Sequence, residues 1–105
     1  MLITIAKEYT KSPGGRHISE GDYSGEDFRE RILYPAYEKI LKSGETLIVD
    51  LDGGYGYSPS FLEEAFGGLA RKMNDHDILN KIEIISKEEP KLIDDIKRYI
   101  SDSLS

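Results

Sequence analysis

At 105 residues the chain suits one domain with a single core. Hydrophobic residues make up 38% of it and they cluster, which favours a folded globule over disorder. The net charge of -6 repels phosphate backbones and anionic lipid, and the basic residues are scattered among acids, as in Lys87-Glu88-Glu89 and Asp95-Ile96-Lys97-Arg98, so neither nucleic acid nor membrane finds a basic patch. Cysteine is absent, which excludes disulfides, thiol catalysis and thiolate metal sites. No stretch approaches the roughly 20 apolar residues that span a bilayer. The opening Met1-Leu2-Ile3-Thr4-Ile5-Ala6 is too short and lacks the basic start of a signal peptide, so a cytoplasmic location is expected.

Residues 2–6 alternate large and small side chains with β-branching and read as the first strand. Ser12-Pro13-Gly14-Gly15 is a turn signal, and Arg16-His17-Ile18-Ser19 reads as a short return strand that makes a hairpin. Ser24 opens a helix, with Asp27 three residues on in an acidic variant of the capping box. Phe28, Ile32, Leu33, Ala36, Tyr37, Ile40 and Leu41 then recur at helical spacing. Pro35 removes a backbone donor inside that run, so a kink near Arg31 or two abutting helices are expected. Gly44 ends the helix.

Residues 46–51 form a nearly continuous apolar run, the pattern of a central strand. A helix follows from about Ser60 to Met73, stopping near Asn74-Asp75. Residues 81–86 are the next strand. Ser86 with Glu89 reads as a capping box for a last helix striped by Leu92, Ile93, Ile96, Ile100 and Leu104. The order β(β)αβαβα calls for a small α/β fold with a mostly parallel sheet, an antiparallel edge being added if residues 16–19 are a strand.

The chemistry-bearing residues gather where the second main strand hands over to a helix. Ser58 precedes Pro59 at a first helical position, and Ser60 with Glu63 makes the better capping box. The same hydroxyls sit where a helix N-terminus welcomes phosphate, so Ser60, and Ser58 second, are phosphoacceptor candidates. A phosphate adds about -1.5 to -2 charges beside Asp50, Asp52, Glu63 and Glu64, enough to eject a partner. Asp50 and Asp52, two apart at the carboxyl end of a strand, share a face; they are either solvated turn carboxylates or part of a cation site that needs further ligands. Gly53-Gly54-Tyr55-Gly56 lacks both the dinucleotide spacing and the Walker lysine, and its glycines suit a tight turn. Gly67 and Gly68 each cost about 1 kcal/mol of helix propensity, offset either by close packing on the sheet or by a flat docking surface. His17 and His76 have no ligand-spaced neighbours and read as loop residues. The nucleophile-elbow pattern is missing around both serines, which speaks against a hydrolase using Ser60, His76 and Asp50.

Three segments, Gly21-Asp22-Tyr23-Ser24-Gly25-Glu26-Asp27-Phe28-Arg29, Val49-Asp50-Leu51-Asp52-Gly53 and Ser60-Phe61-Leu62-Glu63-Glu64-Ala65-Phe66-Gly67-Gly68-Leu69, resemble the bacterial STAS-like family of small domains. That family is similar in layout to the anti-sigma-factor antagonists. The resemblance implies a small mixed sheet with helices mainly on one face. It also implies a regulatory role in signal transduction, switched when a histidine-kinase-like ATPase phosphorylates a serine at the start of the helix after the third strand. Strand-for-strand alignment places Ser60 there with Ser58 close by, and puts residues 21–27 at a partner-facing loop. The chain departs from the antagonists' Asp-Ser-Ser-Gly stretch, since Pro59 and Phe61 flank Ser60.

The sequence therefore points to a non-enzymatic regulatory module without a cofactor. It binds a protein partner, such as a histidine-kinase-like ATPase or sensor, through Asp50, Asp52, Gly53, Gly54, Tyr55, Tyr57, Phe61 and Glu64, with Ser60 or Ser58 as the switch. The other reading is a small-ligand or nucleotide sensor that uses the glycine turn. A homodimer is left open.

Overall fold

The computed structural model describes all residues, 1–105. Three parallel strands, β1 (Leu2–Thr4), β2 (Leu47–Asp50) and β3 (Ile82–Ile85), form a sheet in the order β1-β2-β3. The apolar run therefore is the central strand. Parallel neighbours need long crossovers, and two helical rods supply them. The first runs through α2 (Gly25–Phe28), a π-helical turn at Arg29–Leu33 and α3 (Tyr34–Ser43). The second runs through α4 (Pro59–Leu62), a π-helical turn at Glu63–Gly67 and α5 (Gly68–Met73). A short α1 (Ile5–Glu8) follows β1 directly, and α6 (Lys91–Ser103) closes the chain. No helix is long and apolar enough to cross a membrane.

The anticipated hairpin does not form. Residues Ile18–Glu20 make a 3-10 turn instead, held by a hydrogen bond from the His17 N–H to Glu20 Oε1 of 2.6 Å, and the sheet has no antiparallel edge. One large apolar residue in four could not anchor a strand against the core. The first strand is also shorter than expected, because the chain turns into α1 at Ile5.

Pro35 does not split the rod into two abutting helices as one expectation had it; helical backbone runs on through a π turn one turn upstream. Pro35 cannot donate to the carbonyl four residues back, and the rod widens into the π turn at Arg29–Leu33. Gly44 ends α3 at φ 78°, its N–H bonded to the Ile40 carbonyl at 2.9 Å.

Side chains alternate across the sheet. Ile3, Leu47, Val49, Ile82 and Ile84 point to one face and join Phe28, Leu33, Tyr37, Ile40, Phe61, Phe66, Leu69, Ile96 and Ile100 in a single core. The opposite face carries Leu2, which is 56% exposed, and the exposed Glu83. Helices thus cover one face only.

One polar cluster ties the far end of the first rod to the loop before β3. Tyr37 Oη donates to Asp75 Oδ2 at 2.6 Å and Lys81 Nζ reaches the same oxygen at 2.6 Å. The hydrogen bonds from Lys81, then Tyr37, then the Asp77 N–H hold the Asp75 carboxyl down at about 2. A carboxylate lowered on folding stabilises the protein above its unfolded value and loses that contribution as pH falls through the folded one. Asp75→Asn should therefore lower the urea midpoint at about pH 5, with the gap to wild type closing towards about pH 2. A gap that stays constant with pH would remove the assignment.

Candidate functional site

The carboxyl ends of β2 and β3 lie side by side, so the loops that follow them meet. After β2 the chain turns through Gly53 at φ 93° and Gly56 at φ 126°, conformations that side chains with a Cβ rarely adopt. Asp50 Oδ1 accepts the Asp52 N–H at 2.9 Å. Asp52 reaches across to the loop after β3, its Oδ1 accepting the Glu88 N–H at 3.0 Å and its Oδ2 the Lys87 N–H at 3.1 Å. Glu88 returns the contact, Oε1 accepting the Gly53 N–H at 2.9 Å. Asp50 and Asp52 are thus neither idle solvated carboxylates nor free cation ligands. Both cap backbone donors, and Asp52 locks the two loops together.

Those loops enclose a concavity of about 430 Å³, lined among others by Leu51, Asp52, Gly54, Tyr55, Tyr57 and Glu88. Glu89 and Leu92 complete its far wall. Tyr57 is anchored at its back, Oη donating to the Leu51 carbonyl at 2.9 Å. Burial, with Asp50, Asp52 and Glu88 nearby, pushes its phenol pKa up, so it remains a protonated donor. Tyr55 stands at the rim with 83% of its surface exposed. Its N–H donates to the Lys11 carbonyl at 2.8 Å, which pins the turn to the segment after α1. Glu88 and Glu89 escaped the sequence reading, which spent Glu89 on a capping box. Their position after β3, next door to the loop after β2, was the available signal.

The serines divide their roles. Ser58 is the N-cap of α4, its Oγ accepting the Phe61 N–H at 3.1 Å, with Pro59 at the first helical position. The same hydroxyl donates to the Gly14 carbonyl at 3.2 Å, which fastens the loop before α2 to the start of α4. Ser60 is not the cap; it lies half-buried inside the first turn of α4. Glu63, its supposed box partner, is instead held by Arg71 and Arg16. Ser58→Ala should accordingly cost about 1 kcal/mol, or about 4–8 °C of Tm. Ser60→Ala should stay within about 0.5 kcal/mol of wild type. Thermal unfolding of the pair checks the assignment, and equal losses would contradict it.

Two other expected contact residues face inward. Phe61 is fully buried, its ring stacked on Phe28 with centroids 5.8 Å apart and tilted against Tyr57 at the same spacing. Glu64 takes Arg29 Nη1 on Oε2 at 2.5 Å and Arg16 Nη1 on Oε1 at 3.2 Å. Burial alone would raise its carboxyl, but Arg29 and Arg16 outweigh that and its pKa falls below the ordinary value. Phe61 and Glu64 both belong to the contact between the two rods.

Side chains also crowd the paired glycines, at Gly68 from the first rod. A Cβ at Gly68 would overlap the Arg29 guanidinium, and one at Gly67 would come within 2.6 Å of Glu63 Oε2. Gly68 thus makes room for Arg29, which also donates to the Glu64 carbonyl at 2.8 Å. The glycines serve neither sheet packing nor a flat docking face. His17 and His76 are both exposed, in keeping with loop positions. Tyr23, half-exposed at φ 59°, and exposed Ile18 lie on the loop that Ser58 fastens.

The family model of the STAS-like domain of unknown function (DUF4325) matches residues 24–92, which hold the turn after β2 and the two rods behind it. The chain belongs to that family. No curated protein and no solved structure matches it. The matched span of the STAS-like domain runs from the cap of α2 at Ser24, through the turn at residues 52–57, to Leu92 on the far wall of the concavity. It takes in both rods, β2 and β3.

Proposed function

We propose that this STAS-like domain is a non-catalytic regulatory module that docks a protein partner on the turn after β2 and the exposed start of α4. Tyr55 carries the reading. A tyrosine left 83% exposed on a turn that is itself hydrogen-bonded into place is a preformed anchor, since its large ring loses little conformational freedom on burial. The wall beside it is acidic through Asp52, Glu88 and Glu89, so the matching surface on the partner is basic. Gly53, Gly54 and Tyr57 shape the turn. By resemblance to the anti-sigma-factor antagonists, the partner is a histidine-kinase-like ATPase or sensor.

Ser60 is the switch residue. Its hydroxyl serves no cap, so phosphorylation there adds charge one turn before Glu63 and Glu64 without removing the cap of α4. Ser58 is the second candidate, and modifying it would also cost the donation to the Gly14 carbonyl. With an ATPase of this type as the binding partner, Ser60→Asp should weaken affinity by about tenfold or more, about 1.4 kcal/mol, while Ser60→Ala binds as wild type. Calorimetric titration reads both, and equal affinities for the three proteins would end the switch.

A second reading rests on the concavity itself, whose size is within the usual ligand range of about 300–1,000 Å³. Its carboxylates disfavour a nucleotide and favour a small cationic ligand. A thermal-shift panel of polyamines, divalent cations and nucleotides separates the cases: stabilisation that grows with polyamine concentration supports this reading, and no shift removes it.

A further inference from the structure

The sheet has two edges, and the chain caps them unequally. In a parallel sheet, alternate residues turn both their N–H and C=O to the same neighbour. At β1, the Ile48 N–H donates to the Met1 carbonyl at 2.8 Å, with Leu2 in register with Ile48. Met1 and Ile3 therefore face β2, and Leu2 and Thr4 face outward. The outward N–H of Thr4 is taken by Glu8 Oε2 at 2.6 Å, so a carboxylate from α1 caps part of that edge.

At β3, the Leu47 N–H donates to the Lys81 carbonyl and the Leu51 N–H to the Ile85 carbonyl, both at 2.8 Å. With Leu47 opposite Ile82 and Val49 opposite Ile84, residues Lys81, Glu83 and Ile85 face β2. Ile82 and Ile84 then present their N–H and C=O groups away from the sheet, and no group of the chain bonds them. Beside this edge runs a groove of about 540 Å³ between β3 and α6, lined by Leu79, Ile82, Glu83, Ile84, Ile93 and Lys97 among others. Glu83 and Lys97 are both exposed and neither is in an ion pair.

We infer that the outer edge of β3 accepts an extended peptide of a protein partner as a fourth strand, with apolar side chains turned into the groove and a basic side chain turned out beside Glu83. Main-chain hydrogen bonds to Ile82 and Ile84 supply the fit, and the alternation of side chains supplies the selectivity. Ile93 and Leu79 offer apolar contact on the inner side, where Lys97 opposes a basic residue. Glu83 favours a basic residue on the outer side. A second copy of the chain fits less well. When Ile82 of one copy pairs with Ile84 of the other, the twofold runs past Glu83 and sets two carboxylates face to face in the closest kind of cross-strand pair. This surface is on β3, not on the turn after β2, so it stands or falls separately from the docking site described above.

The test uses the full chain and two labelled peptides, Val-Lys-Val-Lys-Val and its charge-reversed counterpart Val-Glu-Val-Glu-Val. Fluorescence anisotropy reads binding, and amide hydrogen exchange reads the site. The lysine peptide should bind and slow exchange at the Ile82 and Ile84 amides by about tenfold or more, while the glutamate peptide should do neither. Glu83→Lys, a surface change that leaves Tm unaltered, should erase the preference. Three results would overturn the inference: no added protection at these two amides with either peptide, protection confined to residues 50–60, or protection already present in the free protein together with a dimer in light scattering.

Discussion

Phe61→Ala is expected to cost about 3–5 kcal/mol, the usual loss for a fully buried phenylalanine. Against a total stability of about 5–15 kcal/mol for a domain, that is a large share. Phe61 touches both the core and the site. Its ring is fully buried between Phe28 on the first rod and Tyr57 on the turn, while its N–H is the donor that Ser58 caps. Removing the ring should therefore loosen the turn along with the core. Urea unfolding gives the loss, and hydrogen exchange should show the amides of residues 53–57 among the first to open in the variant. A loss below about 1 kcal/mol would mean that the ring is not packed as described. Phe61→Leu keeps most of the volume and should be far milder.

The second large effect is a matter of sign. Gly25 opens α2, where helix propensity alone predicts that alanine gains about 1 kcal/mol. The structure reverses this. A Cβ at position 25 would overlap the Phe61 carbonyl oxygen and come within 3.1 Å of Glu64 Cβ. The obstacle is largely backbone, which cannot swing aside like the end of a side chain. Gly25→Ala should thus destabilise by about 1–3 kcal/mol, as overpacking does. Denaturant unfolding decides it, and a gain in stability would show that the two rods do not meet at Gly25.

These two residues also mark where the sequence was legible and where it was not. Local patterns with one physical solution came through. The apolar run at residues 46–51 could only be a central strand. Ser24 could only cap, and its Oγ does accept the Asp27 N–H at 3.0 Å. Gly44 could only end a helix. Patterns with two solutions needed tertiary contacts to choose between them. The Ser-x-x-Glu spacing fits residues 60–63 and 86–89, yet neither is a capping box. At the first, Pro59 presets the first helical turn and the Gly14 carbonyl holds Ser58 in the cap. At the second, Pro90 disfavours helical backbone at Glu89, so α6 begins at Lys91 while Ser86 Oγ donates to the Glu89 carbonyl at 2.7 Å.

The site was half legible for the same reason. Tyr55 and the glycine turn are contiguous in sequence, and Gly54, Tyr55 and Gly56 all line the concavity. Glu88 and Glu89 come from a loop some thirty residues away and join the site only because β2 and β3 are neighbours in the sheet. Glu64 and Phe61 were adjacent to the turn in sequence but face the other way. The role of Gly68 was out of reach, because the Arg29 guanidinium it accommodates belongs to the other rod, and the side chains that crowd Gly67 include Ser103 on α6.

The central claim is that the turn at Tyr55 is where a partner sits. A photo-crosslinking side chain placed at position 55 in cells, beside a control at exposed Glu38 on α3, tests it most directly. The account predicts one discrete crosslinked protein from position 55, none from position 38, and loss of that product when Ser60→Asp is added. Equal crosslinking from both positions, or none from position 55, would contradict it.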